Sequence, residues 1–158
     1  MAHGTIRARM IALIQRVTSA SIAVDDRITA AIGRGVLALL AVRADDSPAS
    51  ADYLIERILG YRIFADDAGR MNRSLADIAG GLLLVPQFTL AADTRKGTRP
   101  GFSTAAAPAL AAALFEHCVT TARARHREVE SGAFGAHMAV SLVNDGPATF
   151  WLETPFTT

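Results

Sequence analysis

Apolar residues fall along this chain in two rhythms. Met10-Ile11-Ala12-Leu13-Ile14-Gln15-Arg16-Val17 is β-rich and mostly apolar, is bounded by Thr18-Ser19, and predicts a largely buried strand. Stretches 21–24 and 28–32 flank the polar Asp25-Asp26-Arg27 and read as a hairpin. After a turn at Gly33-Arg34-Gly35, residues 36–42 form a continuous apolar run, the mark of a strand covered on both faces. The period then changes. Ser47 followed by Pro48 is a helix start, Ala51, Leu54, Ile55, Ile58 and Leu59 recur at helical spacing, and Gly60 ends the helix. A polar loop follows at 65–70. Stretch 82–90 is a strand by composition, yet it holds Pro86, which cannot donate to a ladder, so the strand is expected to be bulged, bent or at an edge. Pro108 opens a second long helix with Leu110, Leu114, Cys118, Thr121 and Ala122 on one stripe. Residues 138–143 alternate as a strand and 148–152 form another. Between them Asn144-Asp145-Gly146-Pro147 is dense in turn formers and predicts a hairpin. Strands, helix, strand, helix and hairpin make an α+β fold. One domain, a mixed or antiparallel sheet and two main helices are expected rather than regular βαβ winding.

Composition narrows the function more than the fold. With 158 residues, 51% of them hydrophobic and 20% charged, the chain is one domain with its own core and not a disordered segment. Sixteen Lys and Arg against fifteen Asp and Glu argue against wrapping a long nucleic acid, which needs many phosphate contacts. Contact with one short end through a local basic patch stays open. The lone Cys118 allows no intrachain disulfide, which suits a reducing cytoplasm, and its place in a helical apolar pattern reads as a buried small hydrophobe. No apolar run reaches the ~18 residues of a membrane span. Residues 1–9 carry two Arg but no apolar run of signal-peptide length. They read as an upstream extension or a cloning remnant ahead of a domain at 10–158, with Met10 as an alternative start.

Several kinds of chemistry lack their residues. No GxGxxG follows a strand, and there is neither a phosphate loop ending in Gly-Lys-Ser/Thr nor a Gly-x-Ser-x-Gly elbow. His3, His117, His126 and His137 do not fall at metal-ligand spacing, so neither a metal nor a cofactor is called for. His117 and His126 read as helix-surface residues. Asp45-Asp46 and Asp66-Asp67 read as solvated turns. What remains is the polar tripeptide Gln87-Phe88-Thr89 on the Pro-disturbed strand, a basic loop holding Arg95, Lys96 and Arg99, and the stiff Gly146-Pro147 pair. Gly146 can take conformations closed to other residues, and Pro147 fixes its own φ and offers no N–H.

In combination these features resemble the D-aminoacyl-tRNA deacylases. The resemblance runs from Met10 to about Leu152 through Gly60-Tyr61-Arg62-Ile63-Phe64, Met71-Asn72, Gln87-Phe88-Thr89-Leu90-Ala91-Ala92-Asp93-Thr94, Arg99-Pro100, Phe134, Met138 and Val140-Ser141-Leu142-Val143-Asn144-Asp145-Gly146-Pro147. It implies a barrel-like deacylase fold. It also implies a cytoplasmic homodimer that hydrolyses the ester of D-aminoacyl-tRNA, and of glycine mischarged on tRNA-Ala, at a pocket completed by both subunits. Gly146 and Pro147, joined by a cis peptide in the family, are implied as the gate that rejects L-amino acids by collision with main-chain oxygens. Gln87, Phe88 and Thr89 are the implied catalytic residues, and Phe134 and Met138 the neighbours of the terminal adenosine. Arg95, Lys96 and Arg99 are candidates for acceptor-stem phosphates by charge. The family motif is usually Ser-Gln-x-Thr-Leu, and here Pro86 stands in place of the Ser, so that hydroxyl is lost.

Two mechanisms fit. The Thr89 hydroxyl attacks the ester, or backbone N–H groups near Phe88 and Thr89 stabilise the oxyanion while the ribose 2′-hydroxyl assists water. No His or Lys base for Thr89 is evident, which favours the second. The competing readings are a non-catalytic RNA-end-binding module on the same fold and a hydrolase of other esters or amides.

Overall fold

The computed structural model describes residues 9–155. The segment expected as an extension therefore lies, through residue 8, outside the described residues. Strand β1 spans Ile11–Val24, β2 Arg27–Ile32 and β3 Gly35–Ala41. Helix α1 is Pro48–Gly60, followed by the short strands β4 (Phe64–Ala65) and β5 (Met71–Arg73) and by the one-turn helix α2 (Leu75–Ile78). Strand β6 is Gly81–Pro86, then come a 3-10 turn at Phe88–Ala91, helix α3 (Pro108–Arg125), β7 (Val129–Ser131) and β8 (Ala139–Glu153). The main sheet runs β2-β1-β3-β6-β7, with β8 on the other side of β1. Pairings β3·β6 and β6·β7 are parallel and the rest antiparallel, so the sheet is mixed, as expected.

Local chemistry sets the ends of these elements. Ser47 caps α1 in a reciprocal box with Ser50, and Pro48 occupies the first turn. Ser74 and Asp77 make the same box for α2, which the pattern reading missed although Ser-x-x-Asp is a local signal. Asp25 and Asp26 both take positive φ, as a two-residue hairpin turn requires.

Alternation along the strands builds two main cores. Met10, Ala12, Ile14, Val36, Ala38, Leu40, Leu82 and Leu84 face the helices, where they pack with Leu54, Ile58, Leu114, Phe115 and Cys118. The intervening Val17, Ile22, Leu37, Leu83 and Val85 pack with Ala30 and Ile32 of β2 on the inside of the curled sheet. The sheet is thus covered on both faces and is barrel-like. Burial pushes the Cys118 thiol up to about 12, with Asp52 and Asp46 adding to the effect, so it is no nucleophile at neutral pH.

Several expectations are corrected. Thr18-Ser19 does not end the first strand: β1 continues through both residues to Val24. Stretch 82–90 is not a strand throughout, because β6 stops at Pro86 and Gln87-Phe88-Thr89 lies on the turn beyond it. Nor does β6 lie at an edge: it sits between β3 and β7 and accommodates Pro86 as its last residue. The hairpin at 144–147 is absent, since β8 runs in one direction through all four residues. On α3 the buried stripe is Ala111, Leu114, Phe115, Cys118, Val119 and Ala122, so Leu110 and Thr121 lie at its margins. His117 and His126 are also more than surface residues. The His117 Nε2 is 2.8 Å from Asp52 Oδ1, tying α3 to α1, and the His126 Nε2 is 2.6 Å from the Gly80 carbonyl.

Candidate active site

Pro86 ends β6 beside Leu40 of β3, and the Gln87 N–H donates to the Leu40 carbonyl at 2.7 Å. That bond fixes where the chain leaves the sheet. The 3-10 turn begins at once, closed by Leu90 N–H to the Gln87 carbonyl at 3.1 Å. Phe88 and Thr89 open the turn, so their N–H groups precede its first internal bond and have no acceptor within it. The Gln87 side-chain amide donates to Thr89 Oγ1, which orients the hydroxyl. Among the described residues no His, Lys or carboxylate bonds this oxygen.

Beside the turn lies a cleft of about 430 Å³. Pro86, Gln87 and Phe88 form one wall, Ala106 and Pro108 another, and Phe134 and Met138 a third. Both of the last two are half-buried, Phe134 against the helix-side core and Met138 against the inner one. The fold thus gathers four of the predicted residues, Gln87, Phe88, Phe134 and Met138, at one place, with Thr89 attached through Gln87. Pro86 offers this cleft a ring where the family pattern has a hydroxyl, but the N–H groups of Phe88 and Thr89 come after it and are untouched.

Arg95, Lys96 and Arg99 are exposed on the adjoining loop, whose neck is an exchange of backbone bonds between Asp93 and Gly101 at 2.7 and 3.0 Å. Arg95 is engaged there by both carboxylate oxygens of Asp93, at 2.9 and 2.8 Å. These bonds hold the Asp93 carboxyl down at about 2. Arg95 is therefore a loop staple before it is a phosphate contact, while Lys96 and Arg99 are exposed and have no such partner among the described residues.

Gly146 and Pro147 stand elsewhere. Gln15 pairs with Thr149 and Val17 with Asn144, so four residues of β8, 145–148, bulge opposite Arg16 alone. The Gly146–Pro147 peptide is cis, and Gly146 has φ +132. Pro86 pairs with Leu40, Leu40 with Ala12, and Ala12 with Leu152. With strands ~4.8 Å apart and ~3.3 Å per residue, bulge and cleft are roughly 15–20 Å apart across one chain's sheet.

Arg16 holds the bulge, and the sequence reading did not single it out. Its Nε donates to the Asp145 carbonyl at 3.1 Å and lies 3.4 Å from Asp145 Oδ2, while Nη1 donates to the Ile63 carbonyl at 2.7 Å. Asn144 completes the clamp, its Nδ2 donating to the Arg16 and Ala148 carbonyls at 2.9 Å each. The missed signal was a charge in an otherwise buried strand, since Arg is rarely buried without partners. Removing the guanidinium orphans two carbonyls, at about 1–3 kcal/mol in all. Arg16→Ala is accordingly expected to lower the melting midpoint by roughly 5 °C, taking about 2–4 °C per kcal/mol at this size. It should also speed amide exchange at 144–148; an unchanged midpoint and exchange pattern would show that the clamp contributes nothing.

Comparison with known proteins bears on what this arrangement is for. The family described as D-Tyr-tRNA(Tyr) deacylase matches residues 13–153. The chain is 63% identical over 146 residues to the D-aminoacyl-tRNA deacylase of Thioalkalivibrio sulfidiphilus (strain HL-EbGR7), covering 92% of this chain and 98% of that one. It is 60% identical over 144 residues to the D-aminoacyl-tRNA deacylase of Herminiimonas arsenicoxydans, covering 91% and 97%. Among solved structures, the c-Myc DNA unwinding element binding protein superposes with a TM-score of 0.88 at 35% identity, covering 92% of this chain and 99% of that one. A probable eukaryotic D-amino acid tRNA deacylase shares the fold, with a TM-score of 0.81 at 19% identity over 92% and 100% of the two chains.

Proposed function

The chain belongs to the D-Tyr-tRNA(Tyr) deacylase family, and from that premise we propose how its site hydrolyses D-aminoacyl-tRNA and spares the L-ester. The activity is that of a hydrolase that removes the aminoacyl group from the RNA end. The observation that carries the site assignment is the convergence of Gln87, Phe88, Phe134 and Met138 on one cleft, with the unpaired start of the 3-10 turn at its edge.

In this reading the terminal adenosine packs on Phe134 and Met138, where a ring and a thioether suit a flat base. The ester carbonyl oxygen points at the N–H groups of Phe88 and Thr89, which stabilise the negative charge that develops on attack by water. The ribose 2′-hydroxyl beside the ester assists that water. The Thr89 hydroxyl, bonded to Gln87 and lacking a base, positions rather than attacks.

Discrimination is assigned to the Gly146–Pro147 bulge of a second copy. Within one chain the bulge is too far from the cleft to act on it, and β8 offers the edge away from β1, with Val143 and Trp151 exposed, as a surface on which two copies can meet. The main-chain oxygens of the bulge would then stand where an L side chain has to go and leave a D side chain free. Glycine has no side chain to collide, so glycyl-tRNA-Ala is a substrate in the same reading. An aminoacyl-tRNA substrate supports the cytoplasm as the site of this work. No helix among the described residues is long and apolar enough to cross a membrane.

Incubation with D-tyrosyl-tRNA and L-tyrosyl-tRNA tests the assignment, with selective loss of the D-ester expected. Binding without turnover would replace it by the RNA-end-binding module, and hydrolysis of small esters alone would replace it by a different hydrolase. For the mechanism, Thr89→Ala is expected to lower kcat less than about tenfold, because the oxyanion donors are main-chain groups. Loss of nearly all turnover with intact tRNA binding would make the hydroxyl the nucleophile.

A further inference from the structure

Phe64 and Phe115 are each 1% exposed, whereas Phe88 and Phe102 are 56% and 39% exposed although they touch each other. Their ring centroids are 5.3 Å apart with the planes at 47°. The pair is not a loose surface contact, because rigid backbone holds both rings. Phe88 starts the 3-10 turn anchored by the Gln87 to Leu40 bond. Phe102 directly follows the Asp93–Gly101 neck, and its carbonyl accepts from the Ala105 N–H at 3.1 Å. Thr104 Oγ1 donates to the Ala91 carbonyl at 3.2 Å, which ties this second anchor to the end of the turn.

The surroundings specify what such a pair can bind. One of its rings, Phe88, is also a wall of the cleft assigned to the terminal adenosine. Just before Phe102 in the chain, the loop closed by the neck carries exposed Lys96 and Arg99, with Arg95 already taken by Asp93. Flat apolar faces near exposed cations match a single-stranded nucleic acid, whose bases stack and whose phosphates seek positive charge.

We propose that Phe88 and Phe102 form a stacking platform for the unpaired nucleotide preceding the terminal adenosine of the substrate RNA, with Lys96 and Arg99 meeting its phosphates. The proposal rests on the deacylase reading and adds a second base site to it. Stacking on an aromatic face accepts any base, so the platform positions the RNA end without reading sequence.

The test uses a short RNA ending in adenosine with 2-aminopurine at the penultimate position. Stacking quenches its fluorescence. The wild-type protein and Phe102→Trp are expected to quench it, and Phe102→Ala and Phe102→Leu to lose most of the quenching, the latter because it keeps apolar bulk without a π face. In turnover, Phe102→Ala is expected to raise KM for D-aminoacyl-tRNA about tenfold with little change in kcat. That loss is expected to vanish with D-aminoacyl-adenosine, which lacks the penultimate nucleotide. Undiminished quenching by Phe102→Ala, or an equal loss on both substrates, overturns the platform. If the wild-type protein hydrolysed no D-ester, the deacylase reading would fall, while the fluorescence would still decide the platform.

Discussion

Changing Gly146 to alanine is expected to leave a folded protein that no longer distinguishes D- from L-aminoacyl esters. At φ +132 the residue sits where side chains other than glycine's are rarely tolerated, with a strain of about 1–3 kcal/mol. A Cβ would also come 2.8 Å from Arg16 Nη2 and 3.2 Å from the Ala148 nitrogen. A free guanidinium would swing away at little cost, but this one is held by the Asp145 and Ile63 carbonyls. Either those bonds break or the bulge rotates, and both move the carbonyls assigned to the gate. Moving those carbonyls removes the collision with an L side chain while the oxyanion donors at Phe88 and Thr89 stay in place, so kcat/KM for L-tyrosyl-tRNA should rise by at least about tenfold against that for D-tyrosyl-tRNA. The D to L ratio should fall by the same factor. The bulge lies at the exposed side of the sheet, so the melting midpoint should drop by no more than roughly 10 °C. Retention of the wild-type D to L ratio would remove Gly146 from the gate.

Gly35→Ala is expected to do the opposite, destroying the fold before the chemistry. Gly35 pairs with Gly81 in the parallel ladder between β3 and β6, and an added Cβ would lie 1.9 Å from the Gly81 carbonyl oxygen and 2.7 Å from its carbon and nitrogen. No side chain can step aside, because the obstacle is main chain. The two central strands have to part, which also strains the bond from Gly81 N–H to the Arg34 carbonyl at 2.9 Å. A loss of about 4 kcal/mol or more is expected, a large share of the ~5–15 kcal/mol that holds a domain together. The midpoint should fall by at least roughly 10 °C, or the protein should accumulate as insoluble material. A soluble protein melting within a few degrees of wild type would contradict the geometry.

These residues also show what a sequence carries openly. Ser47-Pro48 announced its helix because a cap is satisfied within one turn of chain, and residues 36–42 announced a doubly covered strand because burial on both faces leaves no polar phase. Pro86 signalled a disturbance but not its form. Only the neighbouring Leu40 carbonyl, which takes the Gln87 N–H, makes it a strand end followed by a turn. Asn144-Asp145-Gly146-Pro147 has the composition of a reversal, yet β8 keeps its direction. The reason is distant in sequence: β1 supplies partners on both sides of the bulge, and Asn144 and Arg16 bridge the gap. The cleft residues were found through the family pattern, since Phe134 and Met138 alone read as core filling. Arg16 and Phe102 were missed because their roles depend on groups brought near only by the fold.

One consequence concerns how the protein is made. Among the described residues β8 is the last strand, and it lies against β1, the first, along nearly the whole length of both. When the ribosome has finished Val24, the segment that will cover that side of β1 has yet to be translated. At roughly 5–20 residues per second the wait for Ala139 is on the order of ten seconds. Through that interval the edge of β1 that will face the bulge stays open, and of the two carbonyls that Arg16 holds only that of Ile63 is made before β8. A chain cut short between Ala91 and Asp145 therefore holds the complete Gln87-Phe88-Thr89 turn but not the Gly146–Pro147 pair assigned to stereochemical rejection.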